Sequence, residues 1–164
     1  GTNINYPFVQ TNNNSYYLTH AFDKSYNSAG WVFMDYRNSL NDKNTILYAH
    51  GRIDKTMFGS LKNILTSEWY NNSNNYIIRI SSEKENTLWQ VFSVYHIPTT
   101  NDYLQIDFTN DDEYLLFLNN IKNRSIYNFN TTINEKDKIL TLSTCYNKEE
   151  KMVMHAKLIK KEVK

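Results

Sequence analysis

Two alternating runs near the C-terminus constrain this chain more than any other part of it. In Ile139-Leu140-Thr141-Leu142-Ser143-Thr144-Cys145, residues 139, 141, 143 and 145 face one way and 140, 142 and 144 the other. In Lys151-Met152-Val153-Met154-His155-Ala156-Lys157-Leu158-Ile159, the apolar Met152, Met154, Ala156 and Leu158 share a face. A short polar stretch, Tyr146 to Glu150, joins the runs, and the combination reads as a β-hairpin. A turn of that length sets Cys145 opposite Lys151, and directly opposed side chains have Cβ atoms about 4.5–5.5 Å apart. The pairing puts the only cysteine of the chain beside a cation, on the more polar face of the hairpin. A neighbouring cation favours a thiolate, the nucleophilic form of cysteine. The other reading of Cys145 is a small buried hydrophobe, since free cysteines are among the most buried residues. The spacing leaves both open.

The remaining residues narrow the function classes. A length of 164 residues is that of one domain, and residues 1–164 read as a single unit. Aromatic residues make up 15%, with 13 tyrosines, which leans toward sheet. A net charge of +1 offers no basic field for nucleic acid. The histidines at 20, 50, 96 and 155 are scattered, so no metal site and no cofactor is expected. A single cysteine excludes an internal disulfide.

Taken in order, the pattern predicts strands over residues 3–10, 16–19, 31–35, 45–50, 76–81, 88–97 and 103–108, besides the hairpin. A helix is predicted over about Met57 to Trp69, and another is capped by Asp111 and runs to about Arg124, burying Leu115, Leu116, Leu118 and Ile121. Many strands with two short helices make a mainly β domain, a barrel or a sandwich.

A thiol nucleophile needs a group that handles protons. His155 shares the face of Cys145, but the register sets it opposite Thr141. At about 3.3 Å per residue that is roughly 13 Å from Cys145, too far for a partner. His50, at the end of a strand and followed by Gly51, sits where a side chain can face a cleft. His20 and His96 read as structural or solvated.

These residues carry a resemblance. Thr141-Leu142-Ser143-Thr144-Cys145 resembles the TLxTC signature of the sortases, the cysteine transpeptidases of Gram-positive cell surfaces. Tyr17 to Asp23, Ala29 to Asn38, Tyr48-Ala49-His50-Gly51 with Thr56 to Leu61, and the opening Gly1 to Pro7 are similar to class B members in particular, so the likeness runs over nearly the whole chain. It implies an eight-stranded sortase-type β-barrel with short helices, one of them before the cysteine-bearing strand. It implies that Cys145 attacks a C-terminal sorting motif of surface proteins, NPQTN-like or PxTG-like, and forms a thioester. An amine of the peptidoglycan precursor then resolves that thioester, with His50 as general acid and then base. It further implies a membrane-anchored protein at the extracytoplasmic face of the cell membrane, with the anchor and a leading helix preceding these residues.

The family has a catalytic arginine where this chain has Lys151. A lysine is a mobile point charge, whereas arginine is a flat fork of donors. Either Lys151 substitutes for it, or Arg52, Arg79 or Arg124 reaches in, or catalysis is weak. Weak catalysis would leave a sortase-fold binding module. A hydrolytic or a pilin-polymerising sortase is compatible with the same residues. Thr141, Ser143, Thr144 and Tyr146, around the thiol, are expected to contact substrate, together with Tyr127 in the segment from Ser125 to Asp137.

Overall fold

A computed structural model describes residues 1–164. Its framework is a six-stranded sheet in the order β1-β2-β5-β6-β4-β3. The strands are β1 (Phe33–Met34), β2 (Asn44–Tyr48), β3 (Ile77–Ser81), β4 (Glu85–Pro98), β5 (Ile139–Cys145) and β6 (Glu150–Val163). Neighbours are antiparallel except β2 and β5, which run parallel. The fold is mainly β as expected, with six strands in the sheet in place of the eight implied.

The shortfall has local causes. Residues 3–10 contribute only a bridge between Val9 and Phe33. Residues 16–18 form a 3-10 turn, because the Asn13 side chain accepts from the Ser15 and Tyr16 N–H groups that a strand partner would need. After a 3-10 turn at Asp102–Leu104, the carbonyls of Tyr103 and Gln105 are taken by the Asn44 amide rather than by a strand. Only Phe33 and Met34 of the 31–35 run pair.

The helices also differ from the pattern. The stretch from Met57 to Trp69 splits into a 3-10 segment, Gly59–Leu65, and α1, Ser67–Tyr70. Thr66 breaks it by turning extended and capping the second piece through Trp69 N–H. In α2 (Asp111–Asn123) the cap is Asn110, which accepts from Glu113 N–H at 2.8 Å, and Asp111 to Glu113 are the acidic first turn. The buried stripe is Tyr114, Phe117, Leu118 and Ile121, spaced i, i+3, i+4, i+7. Leu116, expected inside, is exposed.

Two cores follow from the period of the hairpin. Leu140, Leu142, Met152, Met154 and Ala156 enter the main core on one face of the sheet. Ile139 and Val153, from the opposite face, join Phe92, Tyr95, Tyr103 and the stripe of α2 in a second core. The hairpin is therefore covered on both sides, and the face taken as the more polar one is a buried layer.

At 13 residues, α2 is the longest helix and spans about 20 Å, against the roughly 30 Å of a bilayer core. The expected placement as a membrane-anchored protein is corrected accordingly: no helix is long and apolar enough to cross a membrane.

Candidate active site

β5 is buried from Ile139 through Thr144 and emerges at Cys145, which is exposed. Its burial ends there because only the polar turn from Tyr146 to Glu150 lies beyond. Cys145 pairs with Lys151 across the hairpin, and Lys151 Nζ lies 3.1 Å from Cys145 Sγ. Of the two readings of the cysteine, the exposed thiol beside a cation is the one the fold adopts.

The other neighbour of β5 delivers His50. Thr45 to Tyr48 pair in parallel with Leu140 to Ser143. Extending that register by two residues sets His50 beside Cys145, on strands about 4.8 Å apart. The extension is held by side chains and by sterics. Thr144 Oγ1 donates to Ala49 O at 2.7 Å. At Gly51 an added Cβ would fall 2.5 Å from Cys145 O and 3.0 Å from Thr144 Oγ1, so this position has room only for glycine. The His50 carbonyl accepts from Phe58 N–H at 2.9 Å, and its ring nitrogen Nε2 is 2.7 Å from Leu18 O.

His155 stands apart from this cluster. It sits opposite Thr141, fully buried, bonded to Tyr95 Oη and Thr141 Oγ1 at 2.8 Å each. Burial, and then the nearby Arg124 charge, hold its imidazole neutral, with a pKa down to about 3.

The three arginines considered for the site have other engagements. Arg52 bonds Asp54 and Thr56. The Thr56 hydroxyl, then Arg52, hold the Asp54 carboxyl down to about 2. Arg124 pairs with Asp102. Arg79 is on β3 opposite Leu88, at the far edge of the sheet from β5. Lys151 is the cation at the thiol.

The expected substrate contacts divide. Thr141 and Ser143 are buried and spent internally: Thr141 Oγ1 donates to Asn44 Oδ1 at 2.7 Å, and Ser143 Oγ bonds Tyr103 Oη at 2.8 Å. Both hydroxyls are held inside the fold, against the second core, while Cys145 alone on this face reaches the surface. Thr144 is buried and bonded to Ala49. Tyr127 stacks on Tyr70 with ring centroids 4.2 Å apart and donates to Leu65 O. Tyr146 is half-buried next to the thiol, stacked on His96 at 4.9 Å with Lys62 Nζ 5.8 Å from its ring centre.

That stack uncovers a group sequence reasoning passed over. His96 Nδ1 is 2.9 Å from Glu150 Oε1, and Asn147 Oδ1 accepts from Glu149 and Glu150 N–H. The carboxyl of Glu150 is pulled below its usual range, by the His96 hydrogen bond first and Asn147 second. The turn between Cys145 and Lys151 is thus fastened to β4. Nothing in the sequence marks His96 for this, because the contact is made between residues far apart in the chain. No group of His, Cys, Asp and Glu is arranged to hold a metal ion.

An exposed thiol, a cation in contact with it and a histidine on the adjoining parallel strand end are groups that can serve acyl transfer through a cysteine, and comparison with known proteins names the family. The sortase domain model matches residues 1–159. The chain belongs to the class B sortases. It is 39% identical to sortase B of Staphylococcus aureus over 98% of this chain and 67% of that protein. It is 33% identical to sortase B of Listeria monocytogenes, with the same coverage. Among solved structures, a Staphylococcus aureus sortase B–substrate complex superposes with a TM-score of 0.90 at 38% identity, covering 98% of this chain and 76% of that one. Clostridium perfringens sortase B superposes with a TM-score of 0.91 at 31% identity, covering 98% and 90%.

Proposed function

We propose that this class B sortase domain is a cysteine transpeptidase acting on a C-terminal sorting motif, NPQTN-like or PxTG-like, of surface proteins. The contact of Lys151 Nζ with Cys145 Sγ at 3.1 Å is the observation that carries the reading. Cys145 attacks the scissile carbonyl, and the C–N bond breaks as His50 protonates the leaving amine. The resulting thioester is opened by an amine of the cell-wall precursor, whose proton returns to His50.

Lys151 takes the arginine's role in this scheme. Its charge lies beside the attacking sulfur and stabilises the developing oxyanion during attack. Its single ammonium supplies charge with less orientation than a guanidinium. Tyr146, the residue that follows the thiol and is stacked on His96, forms a wall of the peptide site, and Thr144, bonded to Ala49 O, braces the strand end that carries Cys145.

Fluorogenic sorting peptides, assayed with and without an amine nucleophile, test the proposal. Amine-dependent turnover with a peptide adduct on Cys145 by mass spectrometry is expected. Turnover indifferent to amine would mean a hydrolase. Peptide binding without turnover or adduct would mean a binding module, the reading that the missing arginine favours.

A further inference from the structure

The short contact between His50 and Leu18 assigns the ring nitrogens of the histidine. His50 Nε2 is 2.7 Å from Leu18 O. A carbonyl oxygen can only accept, so the hydrogen of this bond sits on Nε2 whether the ring is neutral or cationic. We propose that the Leu18 carbonyl, buttressed by Gly30, is the positioning group that fixes the His50 tautomer, so that every proton His50 exchanges passes through Nδ1.

The carbonyl is built to stay put. Leu18 closes the 3-10 turn Tyr16–Leu18 by donating to Ser15 O at 3.1 Å. The following chain returns beneath it: Asn27 N–H donates to Thr19 O at 2.8 Å and Trp31 N–H to Tyr17 O at 2.9 Å. Gly30 makes that return possible. Its φ is +61°, and an added Cβ would lie 2.4 Å from Tyr17 O and 2.9 Å from Leu18 O. Both the left-handed backbone and the close approach require glycine. Phe58 N–H fixes the His50 main chain from the other side. In serine and cysteine enzymes a carboxylate or amide side chain often orients the histidine; here a backbone oxygen does so, adding no charge to the site.

The consequence for the chemistry rests on the transpeptidase reading. In that reading Cys145 attacks as the thiolate while His50 carries hydrogens on both nitrogens. On acylation the Nδ1 proton passes to the leaving amine as the C–N bond breaks, and a neutral imidazole with Nε2–H remains. On deacylation the incoming amine bonds to the carbonyl carbon, gives its proton to Nδ1, and the C–S bond breaks to return the thiolate. Leu18 O holds the same hydrogen throughout.

Nitrogen-15 NMR of protein labelled in its imidazole rings tests the assignment without reference to turnover, with His50 signals identified by their loss in His50→Gln. In the neutral ring, Nε2 is expected to show the protonated shift and Nδ1 the unprotonated one. The reverse pattern, or shifts averaged between two tautomers, would overturn the proposal. Gly30→Ala, which pushes the Leu18 carbonyl aside, is expected to average the two shifts and to lower kcat by about 10- to 100-fold. If that variant does not fold, the wild-type spectrum decides alone. A single Nε2–H tautomer in a protein that does not turn over sorting peptides would refute the transpeptidase reading and leave this assignment standing; turnover with the opposite tautomer would do the converse.

Discussion

Lys151 Nζ touches Cys145 Sγ at 3.1 Å because β5 and β6 pair these two residues directly across the hairpin. A one-residue slip would turn Lys151 to the other face of the sheet, and the buried rows on both sides of β5 and β6 forbid that slip. The backbone position from which the cation reaches the thiol is thereby as fixed as the core.

Lys151 is the first residue to test. Lys151→Met removes the charge and is expected to lower kcat by about 10²–10³, the usual loss for one oxyanion-stabilising donor. Lys151→Arg is expected to keep or raise it. A steady-state series with one sorting peptide measures both, and a loss in the arginine variant would show a site shaped around lysine.

Cys145→Ala is expected to abolish turnover with an unchanged circular dichroism spectrum, since an exposed side chain contributes little to packing. His50→Ala is expected to lose several orders of magnitude in kcat. Retained activity in either variant would remove that residue from the mechanism.

Ser143→Ala separates a groove residue from a core residue. The substitution leaves the buried Tyr103 hydroxyl without its partner, so a stability loss of about 1–3 kcal/mol is expected in urea unfolding. KM for the peptide is expected to stay at the wild-type value. A raised KM with unchanged stability would restore Ser143 to the substrate site.

His155 makes stability depend on pH. Its pKa is lowered from 6.5 to about 3 by burial, so between these values the unfolded chain binds a proton that the native state refuses. Its contribution is whole above about pH 6.5 and is lost as pH falls toward 3. Urea unfolding between about pH 7 and pH 4 is expected to show stability falling by up to about 1.4 kcal/mol per pH unit from this group. His155→Gln, which cannot take up a proton, is expected to flatten the slope in that window; an unchanged slope would assign it to other groups.

His96→Ala unfastens the turn at the thiol from β4. The ring that stacks on Tyr146 and the partner of Glu150 vanish together. We expect kcat to fall by about two- to tenfold, with a small change in melting temperature. Glu150→Gln is expected to produce a milder fall in the same direction, and no effect of either change would show that the turn needs no fastening.

The hairpin was legible in the sequence because its information is local. Period-two alternation and a five-residue joint set the faces and paired Cys145 with Lys151 and Thr141 with His155, as the structure does. The same local logic found α2 but misassigned its cap and Leu116, where neighbouring residues compete for one role. It overcounted strands at residues 16–19 and 103–108, where a side chain, Asn13 or Asn44, took the hydrogen bonds a strand would have used, and at residues 3–10, which form only the Val9–Phe33 bridge. What only tertiary structure decided is which residues on that face of β5 meet water. The alternation says that Thr141, Ser143 and Cys145 point alike, but the second core built on α2 (Asp111–Asn123) buries the first two and leaves the third exposed. The place of His50 beside Cys145 depends on the parallel β2–β5 pairing, between strands separated by a long stretch of chain. No periodicity encodes such a contact. It exists because the apolar rows of both strands are buried together, and burial is a property of the whole fold.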